Sequence, residues 1–303
     1  MTLVVGLPRD ERATAAMHMG VMLARSLGQD LAICTVVPAP WPAGMGKIDA
    51  EFQSYLDGAA HEALERARDL LPADIAGEFL VKHARSTPSG LLELAAERDA
   101  AMVVLGSSTA GVLGRVAFGS VAERLLHTSP VPVGLGPRGY RCATGARVAR
   151  VTTAYGASER DDELVVAVSG VAARAGAALR VASFGVRPRT PLTAGIGSRA
   201  EDAVLDSWSA DVDTAQQAAI AHLPHAPAEV TTVIGRGTDW AGALEDIGWA
   251  DGDVLVVGSS SEGPLERVFL GSRSSRIVRH SPVPVIVVPR GAAHALAERA
   301  EQP

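Results

Sequence analysis

The chain is 303 residues long, 47% hydrophobic and 20% charged, with 28 Lys+Arg against 34 Asp+Glu, the profile of an ordinary globular protein. A net charge of −6 with no basic run excludes a nucleic-acid footprint, which needs a clustered positive face. Apolar stretches such as Val283–Val288 are far shorter than the roughly 20 residues that cross a bilayer, and Met1–Gly6 lacks a basic signal-peptide start. No membrane partner and a cytoplasmic location are therefore expected.

In chain order, Leu3-Val-Val-Gly6, Leu31–Val37 and Met102–Gly106 are short, β-branched and stopped by Gly or Pro, as buried parallel strands are. Arg12–Leu27, Asp49–Leu71 and Ser89–Arg98 have the Ala, Leu, Arg and Glu content of amphipathic helices. Gly106-Ser-Ser-Thr109 then leads through nine residues to Gly119-Ser120, a helix over Ser120–Thr128 and a closing Ser129-Pro-Val-Pro-Val133. From Val148 the order repeats, with strands at Val148–Ala154, Ala178–Phe184, Val230–Ile234 and Val254–Val257. Gly258-Ser-Ser-Ser261 follows, then nine residues, Gly271-Ser272, a helix over Ser272–His280 and a strand over Val283–Val288.

From Val103 to Leu135 the first half aligns with the second at an offset of 152 residues without a gap, and 16 of the 33 pairs are identical. Solenoid repeats have periods of about 20 to 50 residues, so this is a duplicated domain. The copies are expected at 1–140 and 147–290, separated by the polar, glycine-bearing Arg138–Gly145, with 291–303 as a short helical tail. Pro38–Gly46 and Val186–Gly197, rich in Pro and Gly, are expected to loop over the carboxyl edge of each sheet.

Strand and helix alternation predicts an α/β class protein of two tandem Rossmann-like domains, each a parallel sheet with helices on both faces. Such sheets bind ligands at the carboxyl ends of strands, where the strand order reverses. The glycine loops end there. Gly106 and Gly258 let backbone approach a ligand, Ser107 and Ser259 supply hydroxyls, and Gly119-Ser120 and Gly271-Ser272 start helices whose first N–H groups point outward. That is a phosphate cradle without a Walker lysine; Lys47 and Lys82 are the only lysines.

Both halves resemble the universal stress protein family, whose nucleotide-binding members carry Gly-x2-Gly-x9-Gly-Ser/Thr, a helix and a closing Pro-Val-x-Val-Val strand. The resemblance implies a five-stranded parallel sheet in each domain, a cytoplasmic stress role, dimeric pairing and, in one branch, ATP or AMP binding. It implies cofactor contacts from Gly106, Ser107, Thr109, Gly119 and Ser120 in one half and from Gly258, Ser259, Ser261, Gly271, Ser272 and Arg273 in the other. The cofactor would be ATP, alone or as its Mg²⁺ complex, with the adenine near Val36 or Ser183. Two departures stand out. Thr109 and Ser261 replace the second glycine, and the first strands run into Gly6-Leu7-Pro8-Arg9 and Tyr155-Gly156-Ala157-Ser158 where those members have Asp-Gly-Ser.

The same loops suit a plain strand-to-helix turn in which glycine relieves the backbone and serine caps the helix. The second half looks better equipped for phosphate, with Arg273 where the first has Val121 and with Arg267 in the loop; a solvated helix face is the alternative for Arg273 and Arg276. His222-Leu-Pro-His225 offers two imidazoles and no third ligand, so no metal is expected. Cys34 and Cys142 have no metal or CxxC spacing, and no Gly-x-Ser-x-Gly elbow occurs. No catalytic residue is assigned, and at most weak incidental ATPase activity is expected.

The prolines of the two Ser-Pro-Val-Pro-Val segments suit the start of an edge strand, which needs pairing or cover. The family pairs these strands across a two-fold axis, so an intramolecular pseudo-dimer is expected, with a homodimer through other surfaces open. Two functions remain: a stress-response regulator binding an adenine nucleotide, or a degenerate member acting through dimerisation and partner binding.

Overall fold

Strands that are apolar on successive residues must be covered on both faces, and the fold is built around that demand. The computed structural model describes residues 1–9, 14–39, 46–108, 111–187, 197–221, 223–259, 272–289 and 291–293, with backbone alone at 46–49 and 197–204. The chain divides into Met1–Arg147 and Val148–Pro303.

In the first unit β1 (Thr2–Leu7), β2 (Asp30–Pro38), β3 (Gly77–Ala84), β4 (Met102–Gly106) and β5 (Val133–Gly136) lie in the order β3-β2-β1-β4-β5, all parallel. Val4 sits between Ala32 and Val103, and all three are inaccessible or nearly so. A Cβ on Gly20, in helix α1 (Thr14–Leu27), would come within 2.8 Å of the Val5 side chain, and one on neighbouring Gly6 within 2.8 Å of Leu91 in helix α3 (Thr87–Glu97). Successive strand residues point to opposite faces, so α1 and α3 cover opposite sides. Helices α2 (Gly46–Arg68) and α4 (Ser120–Thr128) complete the unit.

β3 is the element that the hydrophobic runs do not announce. Its Gly-Glu-Phe-Leu-Val-Lys-His-Ala is only half buried, because it is the edge of the unit's five strands. Lys82 is salt-bridged to Glu97, and His83 Nε2 lies 2.8 Å from Asp57 Oδ1. Charged side chains on an edge strand discourage further strand addition. Helix α3 begins two residues ahead of expectation because Ser86 caps it, accepting from Ser89 N while the Ser89 hydroxyl receives the Ser86 N–H.

The second unit repeats the plan with β6 (Arg150–Ala154), β7 (Ala178–Val186), β8 (Val230–Gly237), β9 (Asp253–Gly258) and β10 (Val285–Val288) in the order β8-β7-β6-β9-β10. Its helices are α5 (Glu159–Ala175), α6 (Gly197–Ile220), α7 (Trp240–Asp246) and α8 (Ser272–His280). In each unit the prolines precede the fifth strand instead of lying within it: Pro132 and Pro284 offer only their carbonyls, to Val103 N and Leu255 N. The expected loops at 40–45 and 188–196, His222, and the tail beyond Ala293 lie outside the described residues.

Residues Pro137–Arg147 belong to the first unit and lie on α1. Tyr140 Oη reaches Met22 Sδ (3.2 Å), Cys142 Sγ donates to His18 O (3.4 Å), and Arg25 Nη1 donates to Ala146 O (3.1 Å). Arg147 Nη1 donates in turn to Arg25 O (2.6 Å). Arg25, only 8% exposed, is held by a two-pronged bond to Asp74 at 2.7 and 2.9 Å, which raises its pKa.

One ionic knot lies in the second unit. Asp253, 2% exposed, accepts a two-pronged bond from Arg150 and the Ala250 N–H, and its Oδ2 lies 3.8 Å from Arg180 Nη2. Arg180 is itself 4% exposed and donates to Thr152 Oγ1 and to the carbonyls of Ile247 and Gly248. Burial, and then the Arg150 charge, pull its pKa down to about 10, leaving it cationic at neutral pH. One buried carboxylate thus serves two guanidinium groups. Asp253→Asn should cost about 3–5 kcal/mol, the usual loss when one partner of a buried ion pair is removed, read as a lower urea midpoint for the second unit.

Candidate functional site

In both units the order of the strands reverses between the first and fourth strands, and the fourth strand runs straight into the glycine loop. Ser107 N donates to Gly136 O (2.9 Å) and Ser259 N to Val288 O (3.0 Å), so each loop leaves its strand in the same way. Beyond this point Ser108 and 111–118 are described in the first loop, and 260–271 of the second lie outside the described residues.

The first loop closes on itself. Ser107 Oγ accepts from Ala117 N and donates to Ala117 O (3.1 Å), while Ser108 N donates to the same carbonyl (2.9 Å). The far side of the turn is tied to Arg138, whose Nη1 donates to Gly111 O (2.6 Å), whose N donates to Arg115 O and whose O accepts from Gly114 N. Gly119 caps α4 in an extended conformation and has no side-chain acceptor to offer the helix. By contrast α3, α5 and α7 are capped by Ser86, Ser158 and Asp239.

The protein does not require the glycines of this motif for space. A Cβ on Gly106 would come no nearer than 3.7 Å to its neighbours, and one on Gly119 no nearer than 3.6 Å, both ordinary contacts. Gly119 has φ −95°, which any residue adopts. Gly136, one strand over, is different: its Cβ would lie 2.9 Å from Ala15 O. Gly136 is glycine for packing, whereas bare backbone at Gly106 and Gly119 leaves room beside the strand end and the helix start.

In the second unit Gly258, Ser259, Ser272 and Arg273 are described, while Ser261 and Gly271, like Thr109 in the first, lie outside the described residues. Ser274 Oγ donates to Gly258 O (3.3 Å), joining α8 to the strand end. The Ser259 hydroxyl is buried with no hydrogen-bond partner among the described residues, although its counterpart Ser107 is fully used. The helices also differ in charge. Val121 and Glu123 of α4 correspond to Arg273 and Ser275 of α8, so α4 carries one acid and one arginine, and α8 carries Arg273, Arg276 and Arg279 with no acid. A cation in the first turn opposes the helix dipole by roughly 0.3–1 kcal/mol unless an anion sits there.

The ends of the first strands are occupied by the protein's own bonds. Tyr155 is 6% exposed and its hydroxyl donates to Asp162 Oδ1 (2.8 Å), and burial followed by that bond raises its pKa. The Asp161 carboxylate accepts from Gly156 N, Ser158 N and Ser158 Oγ. Ser183, 1% exposed, donates to Tyr155 O and accepts from Gln216 Nε2, and Val36 is 4% exposed. Neither lines an open adenine slot as the chain stands.

A cavity of about 1010 Å³ opens beside the strand end at Tyr155, lined by Tyr155, Ala157 and Ser158 and by residues of α5 and α6. Glu159, Asp162 and Glu163 are on one stripe of α5, facing Ala215, Ala218 and Ala219 of α6. Sequence reading did not anticipate it, since the acids read as ordinary first-turn residues until the alanines of α6 are placed opposite. Among the described residues no three His, Cys, Asp or Glu side chains are grouped to hold a metal ion, and no helix is long and apolar enough to cross a membrane.

Comparison with known proteins agrees with this geometry. The universal stress protein family model matches residues 1–135 and again 148–289. The universal stress protein Rv2319c of Mycobacterium tuberculosis is 38% identical over 294 residues, covering 95% of this chain and 100% of that protein. The crystal structure of a universal stress protein from Archaeoglobus fulgidus superposes with a TM-score of 0.62 at 20% identity, covering 96% and 98% of the two chains. A protein of unknown function from Pseudomonas aeruginosa, PA1789, superposes with a TM-score of 0.57 at 13% identity over 99% and 96%. With a β3-β2-β1-β4-β5 sheet in each unit and the family model matched twice, the chain belongs to the universal stress protein family as a tandem, two-domain member.

Proposed function

We propose that this protein is a stress-response regulator that binds one adenine nucleotide, ATP with or without Mg²⁺, at the glycine loop of its second unit, with little or no hydrolysis. The observation that carries this reading is the charge on α8. Three arginines and no acid follow a Gly-Ser helix start, and the Ser259 hydroxyl is buried with no hydrogen-bond partner among the described residues. Gly271 and the first N–H groups of α8 hold the phosphates and Arg273 neutralises them. The residues of this chain bind and orient the phosphates. The ligand acts by occupancy, and no residue is assigned as a general base.

The first unit carries the same loop in a self-bonded form. Its phosphate-facing hydroxyl is engaged by Ala117, and Glu123 supplies the helix start with negative charge. We assign it little or no nucleotide affinity. The second reading, a nucleotide-free member acting through partner binding, draws on the strand ends, where Pro8 and Tyr155 stand in place of an open Asp-Gly-Ser turn.

Calorimetric titration with ATP, with and without Mg²⁺, is expected to show about one equivalent bound. Gly271→Val should abolish the heat in a protein that remains folded, and Gly119→Val should leave it. No heat at millimolar ATP with the wild-type chain would hand the function to the second reading. Arg273→Ala is a milder probe and should weaken binding about ten-fold to a hundred-fold, the loss of a hydrogen bond to a charged group worth about 1.5–3 kcal/mol, with a shallower salt dependence. An unchanged affinity would remove Arg273 from the site.

A further inference from the structure

We propose that Pro137–Arg147 is a strap that couples the first unit's glycine loop to α1, with Arg138 as the residue that positions the loop and the Arg25–Asp74 pair as the latch at the other end. The strap stands independently of any nucleotide. Its first residues are part of the loop: Arg138 bonds Gly111, Gly114 and Arg115 through its side chain, carbonyl and N–H. Its remaining anchors, Tyr140, Cys142 and Ala146, meet Met22, His18 and Arg25. These α1 positions are spaced four and three apart, one stripe of a helix.

The route is closed from the other side as well. Ala15 and Ala16, at the start of α1, are the residues that a Cβ on Gly136 or Gly106 would meet, so the helix that receives the strap also abuts the strand ends from which the loop departs. Between its anchors the strap is thin. Arg141, Ala143, Thr144 and Gly145 are exposed, and the turns at Gly139 and Gly145 rest on left-handed φ values of 77° and 76°, which glycine adopts without strain. A segment with few buried contacts opens locally at low cost, so it stays closed through its two ends. At the latch, Asp74 holds both prongs of a nearly buried guanidinium, and that guanidinium holds Ala146. A change in the loop is therefore transmitted along the strap to the last residues of the first unit.

Cys142 reports on the closed state. It lies 3.4 Å from His18 O and 3.6 Å from His18 Nδ1, and burial raises its pKa. The only other thiol, Cys34, is 0% exposed with its pKa pushed up to about 11, and stays silent. Alkylation of the whole chain by iodoacetamide at pH 8 should proceed at least five-fold faster at Cys142 in Arg138→Ala than in wild type, although residue 138 does not touch the thiol. Asp74→Ala should give a similar acceleration, and hydrogen exchange at the amides of Gly114 and Ala117 should quicken in that variant although residue 74 does not touch the loop. Asp74→Asn, which keeps one acceptor, should lie between wild type and Asp74→Ala and serves if the alanine variant does not fold. Arg138→Ala that speeds only the loop amides, or Asp74 variants that speed only Cys142, would show two independent contacts and overturn the coupling.

Discussion

A parallel sheet buried on both faces leaves its central strands one outlet for polar chemistry, the carboxyl ends. The glycine loops and the helices that follow them are arranged around that outlet. The run of inaccessible residues through β1, β4, β6 and β9 leaves side chains there no contact with water, so variation that touches a ligand is confined to the first residues of the loops and helices that follow. Between the first and fourth strands the chain departs in opposite directions, and the gap it leaves has bare backbone at Gly106 and Gly258. The fold thus makes a cleft before any functional residue is chosen.

Within that frame the two copies have taken different paths from one pattern. In the first unit the loop hydroxyl and the Arg138 guanidinium are both satisfied by backbone groups of the loop. In the second, the equivalent hydroxyl is left without a partner among the described residues, and the helix start has gained positive charge. Duplication within one chain permits this, because one unit can keep the structural role of the motif while the other is free to vary. The polar residues at the ends of the first strands behave similarly. Tyr155 and the Ser158–Asp161 box use their hydrogen bonds to start α5, while Tyr155 and Ser158 also line the cavity beside it.

Much of this is legible in the sequence. The repeat at a spacing of 152 residues, the glycine loops and the helices over Ser120–Thr128 and Ser272–His280 are local signals: a glycine, a serine and an apolar stripe within nine residues. β3 is hidden because an edge strand is wetted on one side, so Glu78, Lys82 and His83 interrupt the apolar run. The starts of helices shift where a cap competes with periodicity, as at Ser86. What sequence reading misses entirely is long range. Arg25 meets Asp74 across 49 positions and Ala146 across 121, and the carboxylates of α5 form a groove only because α6 sets alanines opposite them. An arginine within an amphipathic helix reads as a solvated side chain until the fold brings its acceptors to it.

The latch on α1 also bears on where the first domain ends. The family model stops at residue 135, just before β5 ends, which invites a cut at that point. A fragment cut there would keep a guanidinium only 8% exposed and lose the Ala146 carbonyl that satisfies it. It would also uncover Met22, which is fully buried in the intact chain, opening an apolar stripe along α1. The smallest piece of this protein that seals its own surface is therefore longer than the span matched by the family model and runs through Arg147, so residues 137–147 are part of the first domain's cover.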